Sequence, residues 1–284
     1  MTTSTPSGPA AHPKPRHHPV LIAPETWVIQ DTLGEGTAPM TVHLNSMVIR
    51  SEEPIVVDTG VPDNRERYLE DLFALVEPDD VRWVFVSHDD IDHYGNAVAV
   101  MQACPDATLV ASWFMCERMG GELSGVPPHR WRWLGDGDTL DVGDRVLSLV
   151  RPPSYDSPTT RGLYDPTTGV YWASDAYATP VEAGTEFVDQ LDPSAWADGF
   201  STFQTWNSPW LSMVDPTHFD AACRRVEDLA PTTIATTHGP TVPPGRVEQA
   251  FTMMRSLAGT VAPPQPDQVV LDQIVAEMSR TTPD

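Results

Sequence analysis

The sequence contains little cysteine: Cys104, Cys116 and Cys223 are the three thiols among its 284 residues. They lie far apart in the chain, are odd in number and form no Cys-x-x-Cys pair. Such a set excludes a disulfide framework and a cysteine-based zinc site. We therefore expect a reduced, cytoplasmic protein in which these thiols are small core or surface groups.

Positive charge and long apolar runs are also scarce. The chain has 17 Lys and Arg against 40 Asp and Glu, a formal net charge of −23. Phosphate backbones and anionic lipids should repel such a chain, so neither nucleic acid nor a membrane surface is an expected partner. No apolar run approaches the roughly 20 residues that cross a bilayer. The Pro-, Ser-, Thr- and His-rich residues 1–19 lack the apolar stretch of a secretory signal, so we expect no export by that route.

Strand and helix patterns alternate along the rest of the chain. We predict a disordered tail at 1–19, one α/β domain at 20–262, and a closing helix at 263–284 that packs on the domain or on a dimer partner. Predicted strands are Thr26–Ile29, Met40–Ile49, Pro54–Gly60 (ending in a turn), Val81–Ser87, Thr108–Ser112, Val146–Val150, Gly169–Ala173 and Thr233–Thr237. Predicted helices are Arg65–Leu75, Ala97–Ala103, His218–Leu229 and Asp267–Arg280.

Residue types that bind metals gather where predicted strands end. The run from His88 to His93 follows one strand and offers four ligands in six residues: His88, Asp90, Asp92 and His93. Neither a regular strand nor a helix can direct all four to one ion, but a tight loop can divide them between two metals. Asp156, Asp175 and His238 lie near the ends of later strands, where α/β folds commonly place their sites. A solvated acidic loop is the alternative interpretation of the run.

The contexts of these residues resemble the metallo-β-lactamase superfamily over about Val20 to Thr260. The run is similar to the superfamily's His-x-His-x-Asp-His, and Asp58-Thr-Gly60 and His93-Tyr-Gly-Asn96 are similar to its early strand-and-turn and its usual continuation. The resemblance implies an α/β fold, an αββα sandwich with two mixed sheets. It also implies that Asp58 supports a metal ligand without binding the metal itself.

Within the superfamily, the flavodiiron branch is the most similar. That branch has an acid at the second position of the signature, where this chain has Asp90. Three further stretches resemble its Asp-Ser, Ser/Asn-Asp-Ala-Phe and Ser-His-Gly-Pro motifs: Asp156-Ser157-Pro158, Ser174-Asp175-Ala176-Tyr177 and Thr237-His238-Gly239-Pro240. Their order along the chain also agrees with the branch.

The resemblance implies two metal sites bridged by Asp175. Site one would contain His88 and Asp90, and site two would contain Asp92, His93 and His238. The branch has a further site-one histidine just before its Asp-Ser motif, but residues 149–156 of this chain read Leu-Val-Arg-Pro-Pro-Ser-Tyr-Asp. Three explanations stay open: Asp156 replaces that histidine, solvent fills the position, or site one is weak and often empty.

Two tyrosines neighbour the predicted ligands. Tyr94 follows His93, and Tyr177 follows Asp175 by two positions. We predict that either can donate a hydrogen bond to metal-bound oxygen, and that Asp92 also orients such an oxygen.

The ligand set favours iron, with zinc or manganese as alternatives, because added carboxylates suit iron and manganese better than an imidazole-rich site does. The first functional hypothesis is a non-haem diiron oxidoreductase that uses O₂, either on a small-molecule substrate or with a separate electron-donor protein. The branch carries a flavodoxin-like domain for which 284 residues leave no room, so we expect no flavin in this chain. The alternative is a hydrolase of an ester, lactone, thioester or phosphodiester that uses a metal-bridging hydroxide. A third hypothesis is a non-catalytic O₂ or metal sensor. The apolar stripe of the closing helix predicts a homodimer.

Overall fold

The computed structural model describes residues 17–33, 41–181 and 184–281. Its strands are β1 (Val20–Ala23), β2 (Thr26–Ile29), β3 (Thr32–Leu33), β4 (Val42–His43), β5 (Ser46–Ile49), β6 (Ile55–Val57), β7 (Trp83–Phe85), β8 (Thr108–Ala111), β9 (Trp131–Trp133), β10 (Thr139–Asp141), β11 (Val146–Val150), β12 (Gly162–Asp165), β13 (Val170–Trp172) and β14 (Thr233–Ala235). Its α-helices are α1 (Arg65–Leu75), α2 (Ile91–Tyr94), α3 (Ala97–Ala103), α4 (Trp113–Arg118), α5 (Pro193–Asn207), α6 (Pro216–Glu227), α7 (Val247–Arg255) and α8 (Gln268–Thr281).

Two mixed sheets form the centre of the fold. The larger sheet has the order β1-β2-β5-β6-β7-β8-β9. Its pairs are antiparallel up to β6 and parallel from β6 to β9. The smaller sheet has the order β10-β11-β12-β13-β14, and only its last pair, β13 with β14, is parallel. The short strands β3 and β4 pair separately.

The sheets pack face to face and helices cover both outer faces. Between the sheets lies one buried apolar cluster, to which the larger sheet contributes Val57 and Phe85 and the smaller one Leu149, Leu163 and Trp172. A second cluster joins the larger sheet to α1, α3 and α4, and a third joins the smaller sheet to α5, α6 and α7. Strands covered on both faces have no face for polar side chains, which explains the apolar runs Met47–Ile49 in β5 and Ile55–Val57 in β6. The predicted αββα sandwich is therefore confirmed.

The predicted strand Met40–Ile49 is wrong in its extent. Met40 lies outside the described residues, and the rest is divided into β4 and β5. The break falls at Asn45, whose backbone N–H donates to the Thr237 carbonyl at 2.9 Å and whose side-chain amide donates to the carbonyls of Thr236 and Gly239 at 2.9 and 2.8 Å. Asn45 thus leaves the strand to support the loop that carries His238.

The predicted helices α1 and α3 have the expected bounds, whereas α5 and α7 were not predicted. The start of α5 does carry a local signal: Asp192 caps the helix by accepting from the N–H groups of Ser194 and Ala195, and Pro193 occupies the first turn. The predicted tail falls mostly on residues 1–16, which lie outside the described residues.

The closing helix is present as α8, after an irregular segment at 260–267. Its side chains Val269, Leu271 and Val275 are 60%, 51% and 52% exposed. The sequence left open whether this helix packs on the domain or on a partner, and dimerisation stays a prediction. Among the described residues, no helix has both the length and the apolar character needed to cross a bilayer.

Candidate metal centre

The predicted ligands meet where the carboxyl ends of the two sheets face each other. The ligand loop follows β7, Asp175 follows β13 and His238 follows β14. Parallel pairing places the ends of β6 and β7 side by side in one sheet, and those of β13 and β14 side by side in the other. The ligands therefore come from both halves of the chain.

Backbone contacts hold the ligand loop in place. The Thr59 N–H and hydroxyl both donate to the His93 carbonyl, at 2.7 and 2.9 Å, and the Asn96 side-chain amide donates to the Thr59 carbonyl at 2.8 Å. A Cβ on Gly95 would lie 2.6 Å from the Gly60 carbonyl oxygen, so only glycine permits this close approach. The two glycine-containing stretches noted in the sequence are therefore a pair of interlocked turns.

Site one surrounds the buried imidazole of His88. Its Nε2 lies 3.7 Å from an Asp90 carboxylate oxygen, 3.8 Å from Asp156 Oδ1 and 3.7 Å from Asp175 Oδ2. This Nε2 atom has no hydrogen-bond partner. Donor atoms that share a metal through bonds of roughly 2 Å lie about 3 to 4 Å apart, so the spacing fits a common ion.

Site two lies on the other side of Asp175. The Nε2 atoms of His93 and His238 lie 3.0 and 3.3 Å from Asp175 Oδ1, and 3.7 and 3.3 Å from Asp92 Oδ2. The two oxygens of Asp175 therefore face different donor groups, Oδ2 toward His88 and Oδ1 toward the other two histidines. This is the arrangement of a carboxylate that bridges two ions.

The Nδ1 atom of each histidine, on the side of the ring away from the centre, has a hydrogen-bond partner. His93 Nδ1 lies 2.9 Å from Asp58 Oδ2, His88 Nδ1 lies 3.0 Å from Ser174 Oγ, and His238 Nδ1 donates to the His43 carbonyl at 2.9 Å. Such contacts fix the tautomer and direct Nε2 toward the metal. Asp58 and Ser174 both have left-handed backbone, with φ of 55° and 56°, which non-glycine residues adopt when the surrounding structure enforces it.

The carboxylates of the centre form an anionic cluster that raises the pKa of the neighbouring histidines. Burial lowers the pKa of His238, but Asp175 and Asp92 outweigh it and raise this pKa to about 9. Burial also lowers the pKa of His93, yet the carboxylates of Asp175, Asp58 and Asp92 raise it well above its usual value. Burial raises the pKa of Asp175, and the neighbouring histidines pull it well below its usual range. Without metals, protons on imidazoles supply the positive charge that metal ions would otherwise bring.

The donor set fits a pair of metal ions. Three buried atoms that face the centre, His88 Nε2, His93 Nε2 and Asp175 Oδ1, make no well-aligned hydrogen bond, although the last two lie 3.0 Å apart as an ion pair. Buried polar atoms are rarely left unsatisfied, and metal coordination accounts for all three.

Comparison with known proteins identifies the family. Residues 41–188, just over half of the chain, match the metallo-beta-lactamase superfamily. The chain belongs to this superfamily. Among its relatives, the diflavin flavoprotein A 1 of Synechocystis sp. is 26% identical over 198 residues, 69% of this chain and 33% of that protein. The nitric oxide reductase of Moorella thermoacetica is 23% identical over 148 residues, 52% of this chain and 37% of that protein. The chain thus spans about a third of the length of these curated relatives.

Solved structures, one of them named as a flavodiiron protein, share this fold. The rubredoxin:oxygen oxidoreductase of Desulfovibrio gigas superposes with a TM-score of 0.71 at 15% identity, over 84% of this chain and 61% of that one. The flavodiiron protein of Giardia intestinalis gives 0.70 at 20% identity, over 86% and 60%. The likeness to the flavodiiron branch is therefore confirmed.

All seven residues predicted as ligands come together in this metallo-beta-lactamase fold. They form three overlapping groups whose donor atoms lie within 4.8 Å of one another: His88, His93 and Asp175; Asp92, His93 and His238; His88, Asp90 and Asp156. Asp156 thus lies beside His88, as expected for a substitute ligand. Its role in metal binding, like that of the other six, stays a prediction.

The prediction for Tyr177 is not supported. Its buried ring packs against Phe200 and Phe251, with ring centroids 6.3 and 6.1 Å away, and its hydroxyl has no hydrogen-bond partner. Burial, Tyr171 and Cys223 raise the pKa of Tyr177 well above its usual value, and the ring belongs to the apolar cluster between the smaller sheet and α5, α6 and α7. The left-handed backbone at Tyr177, with φ of 64°, accompanies this turn away from Asp175.

Tyr94 lies at the rim of the centre. Burial, Glu122, Asp90 and Asp89 raise the pKa of this half-buried tyrosine. Its proposed role as a hydrogen-bond donor stays a prediction.

Two groups of supporting residues were missed in the sequence. Asp89, inside the ligand run, accepts hydrogen bonds from Ser157 Oγ at 2.5 Å and Thr159 Oγ1 at 2.6 Å, and it pairs with Arg118. On α5, Asn207 Nδ2 donates to Asp175 Oδ2 at 3.3 Å. A carboxylate between two ligands was a usable signal for Asp89, whereas Asn207 could not be found without predicting α5.

Proposed function

We propose that this chain forms the dinuclear metal domain of a non-haem diiron oxidoreductase that uses O₂ as oxidant. The observation that carries the proposal is the bridging geometry of Asp175, with each oxygen facing its own histidine-containing donor group. Relatives named as a nitric oxide reductase and as an oxygen oxidoreductase support the same class of chemistry.

The charge of the donor set supports redox chemistry over hydrolysis. Asp90, Asp92, Asp156 and Asp175 bring four negative charges, which equals the charge of two divalent ions. Anionic oxygen ligands stabilise the higher oxidation state of iron, and they reduce the positive charge that would otherwise acidify a bound water. Two bound irons would supply paired one-electron changes to a small oxidant.

The residues of the chain would hold that pair. Asp175 would keep the ions together, and the outer contacts of the histidines would keep each Nε2 directed inward. Phe203 packs beside site two, with its ring centroid 5.4 Å from that of His238. The Asp90 side chain is 52% exposed, so the open side of the centre, where a substrate would enter, is that of site one.

We propose that electrons come from a separate donor protein or from an oxidisable small molecule. In either case the reduced centre should react with O₂ in the absence of any added ester or lactone. The proposal concerns the class of reaction and leaves the substrate open.

The test is anaerobic loading of metal-free protein with ferrous iron, followed by exposure to O₂. We expect about two irons per chain, a change in the optical spectrum on exposure, and O₂ consumption while a chemical reductant is present. Zinc in the purified protein, no reaction of the iron-loaded form with O₂, and hydrolysis of ester or thioester substrates would overturn the proposal in favour of a hydrolase.

A further inference from the structure

Helix α5 contacts both the backbone and the carboxylate of the bridging residue Asp175. Gln204 Nε2 donates to the Asp175 carbonyl at 3.1 Å, and Asn207 Nδ2 donates to the carboxylate oxygen Oδ2 at 3.3 Å. We propose that Asn207, supported by Gln204, is a positioning residue that keeps Oδ2 directed toward His88, so that α5 selectively maintains site one. This inference rests on the proposed dinuclear function and deepens it.

The sequence of α5 places both amides on the face of the helix that packs against the fold. Trp196, Phe200 and Gln204 follow one another at intervals of four residues, and all three are buried. Residues three or four apart share one face of a helix, so Asn207 continues this face by one more turn. The two aromatic residues pack in the cluster beneath the smaller sheet, which leaves the two amides beside Asp175 at the end of the helix.

The turn that follows Asp175 is fixed to the same face of α5. The ring of Tyr177 packs against that of Phe200, with the centroids 6.3 Å apart, and Gln204 Nε2 lies 3.4 Å from the Ala178 carbonyl. A buried amide whose polar atoms are all bonded makes its surroundings rigid. The backbone that carries the bridging carboxylate therefore has a defined position relative to the helix.

Gln204 also joins α5 to the loop that carries Asp156. Its Oε1 atom accepts a hydrogen bond from Ser154 Oγ at 2.6 Å, two residues before that carboxylate. Asp156 lies beside His88 in site one. A single buried side chain thus connects the helix with two of the loops that supply carboxylates to site one.

The contact made by Asn207 is specific to one oxygen of the bridge. Asp175 Oδ2 faces His88 Nε2 at 3.7 Å, whereas Oδ1 faces the site-two histidines. The torsion that orients an aspartate carboxylate has only broad preferences, so a hydrogen bond to one oxygen is needed to fix it. The Nδ1 atoms of His93 and His238 have partners outside α5. Loss of the Asn207 amide should therefore weaken site one more than site two.

The experiment measures each site in a protein that lacks the other. His93→Ala removes a donor of site two and His88→Ala removes the imidazole of site one, so each variant should bind about one Fe²⁺. Anaerobic competition with a chromogenic ferrous chelator gives the dissociation constant of the remaining ion. Adding Asn207→Leu should raise this constant about tenfold in the His93→Ala protein, the scale expected for a residue that supports a metal ligand. The same change should leave the constant of the His88→Ala protein unaltered.

Further variants control for general effects on the helix. Asp198→Leu places the same new side chain at an exposed position of α5 and should leave both constants unaltered. Gln204→Met, which keeps the length of the side chain without its amide, should weaken the site-one ion as Asn207→Leu does. Circular dichroism of each metal-free variant checks folding. If Asn207→Leu does not fold, Asn207→Ala must show the same selectivity.

The outcomes distinguish this inference from the proposed function. An equal loss of affinity in both single-site proteins would make Asn207 a general structural residue, and no loss in either would exclude a role in metal binding. Both results would overturn the inference and leave the dinuclear function intact. A wild-type protein that binds fewer than two Fe²⁺ per chain in the same assay would overturn the dinuclear function itself.

Discussion

At the scale of single residues, the centre depends on buried groups that are costly to leave unpaired. His88, His93 and Asp175 are 0%, 0% and 2% exposed, and each directs toward the site an atom that makes no well-aligned hydrogen bond. Desolvated polar groups of this kind are tolerated when a metal ion or a proton satisfies them. Metal binding should therefore be coupled both to stability and to proton release.

The first prediction concerns His93→Ala. The substitution removes a site-two donor and leaves site one complete, so metal content should fall from about two ions per chain to about one while the circular dichroism spectrum is retained. His218→Ala, on an exposed side chain of α6, is the matched control. Unchanged metal content in His93→Ala would contradict the assignment of site two.

The second prediction concerns protons. We expect both histidines to be protonated in the metal-free protein at pH 7, because the surrounding carboxylates outweigh burial and raise the pKa of His238 to about 9 and that of His93 well above its usual value. Metals bind neutral imidazole, so loading at pH 7 should release about two protons per chain, and the number should decrease as pH rises through 9.

Calorimetric titration with metal in buffers of different ionisation enthalpy measures this release. Because the His93→Ala variant lacks one imidazole and its His238 keeps its proton when site two is empty, the variant should release about two protons fewer. Heats that do not depend on the buffer at pH 7 would rule out protonated histidines in the metal-free centre.

At the scale of elements, the Asp89 contacts join the loop after β7 to the loop after β11. Asp89 is bound by Ser157, Thr159 and Arg118, and although burial raises its pKa, these partners lower it to about 2. The joined loops carry His88 and Asp156, which site one requires within reach of each other. We therefore propose that Asp89 positions Asp156, the predicted ligand on the other loop.

The third prediction is that Asp89→Asn weakens both folding and site one. A folded-state pKa of about 2 against an ordinary value of 3.8 corresponds to about 2 kcal/mol of folding free energy at neutral pH. A lowered pKa stabilises the fold above the unfolded pKa, so the difference between wild type and variant should be complete above about pH 5 and vanish as pH falls toward 2.

Urea unfolding of the metal-free proteins between pH 3 and pH 7 measures the difference. Metal analysis should show loss of the site-one ion with site two retained. Asp198→Asn on α5 serves as the control because its side chain is exposed. A stability difference that stays constant down to pH 3 would disprove the electrostatic role of Asp89.

At the scale of the whole molecule, the exposed apolar face of α8 favours association of two chains, whereas the high negative charge opposes it. Val269 and Leu271 are 60% and 51% exposed, and burying them against a second copy would be favourable. Two chains of formal charge −23 repel each other, and salt screens that repulsion.

The fourth prediction is a homodimer that forms through α8 and strengthens with ionic strength. Leu271→Glu should give monomers with unchanged metal content, whereas Gln273→Glu, an equally exposed polar position of α8, should stay dimeric. Light scattering at low and high salt provides the measurement. A wild-type protein that is monomeric at both salt concentrations would refute the prediction.

The sequence by itself determined those elements that a pattern of a few neighbouring residues is enough to predict. Helix α1 followed from apolar residues at helical spacing, and the ligand run followed from four metal-binding side chains in six positions. Helix α5 was not predicted because the residues after its capping residue Asp192 are a mixture of polar and aromatic side chains without a clear helical periodicity. What was predictable is thus what depends on near neighbours.

Tertiary structure decided the features that depend on distant contacts. Asp156 lies within reach of His88 because residues next to it bind Asp89 across 68 and 70 positions of sequence. Tyr177, two residues from a ligand, faces the core because the backbone turns after Asp175. Sequence alone lists which side chains can bind a metal, since that is a property of each residue type. Which of them share one ion depends on distances of 3 to 4 Å, and packing of the two sheets sets those distances.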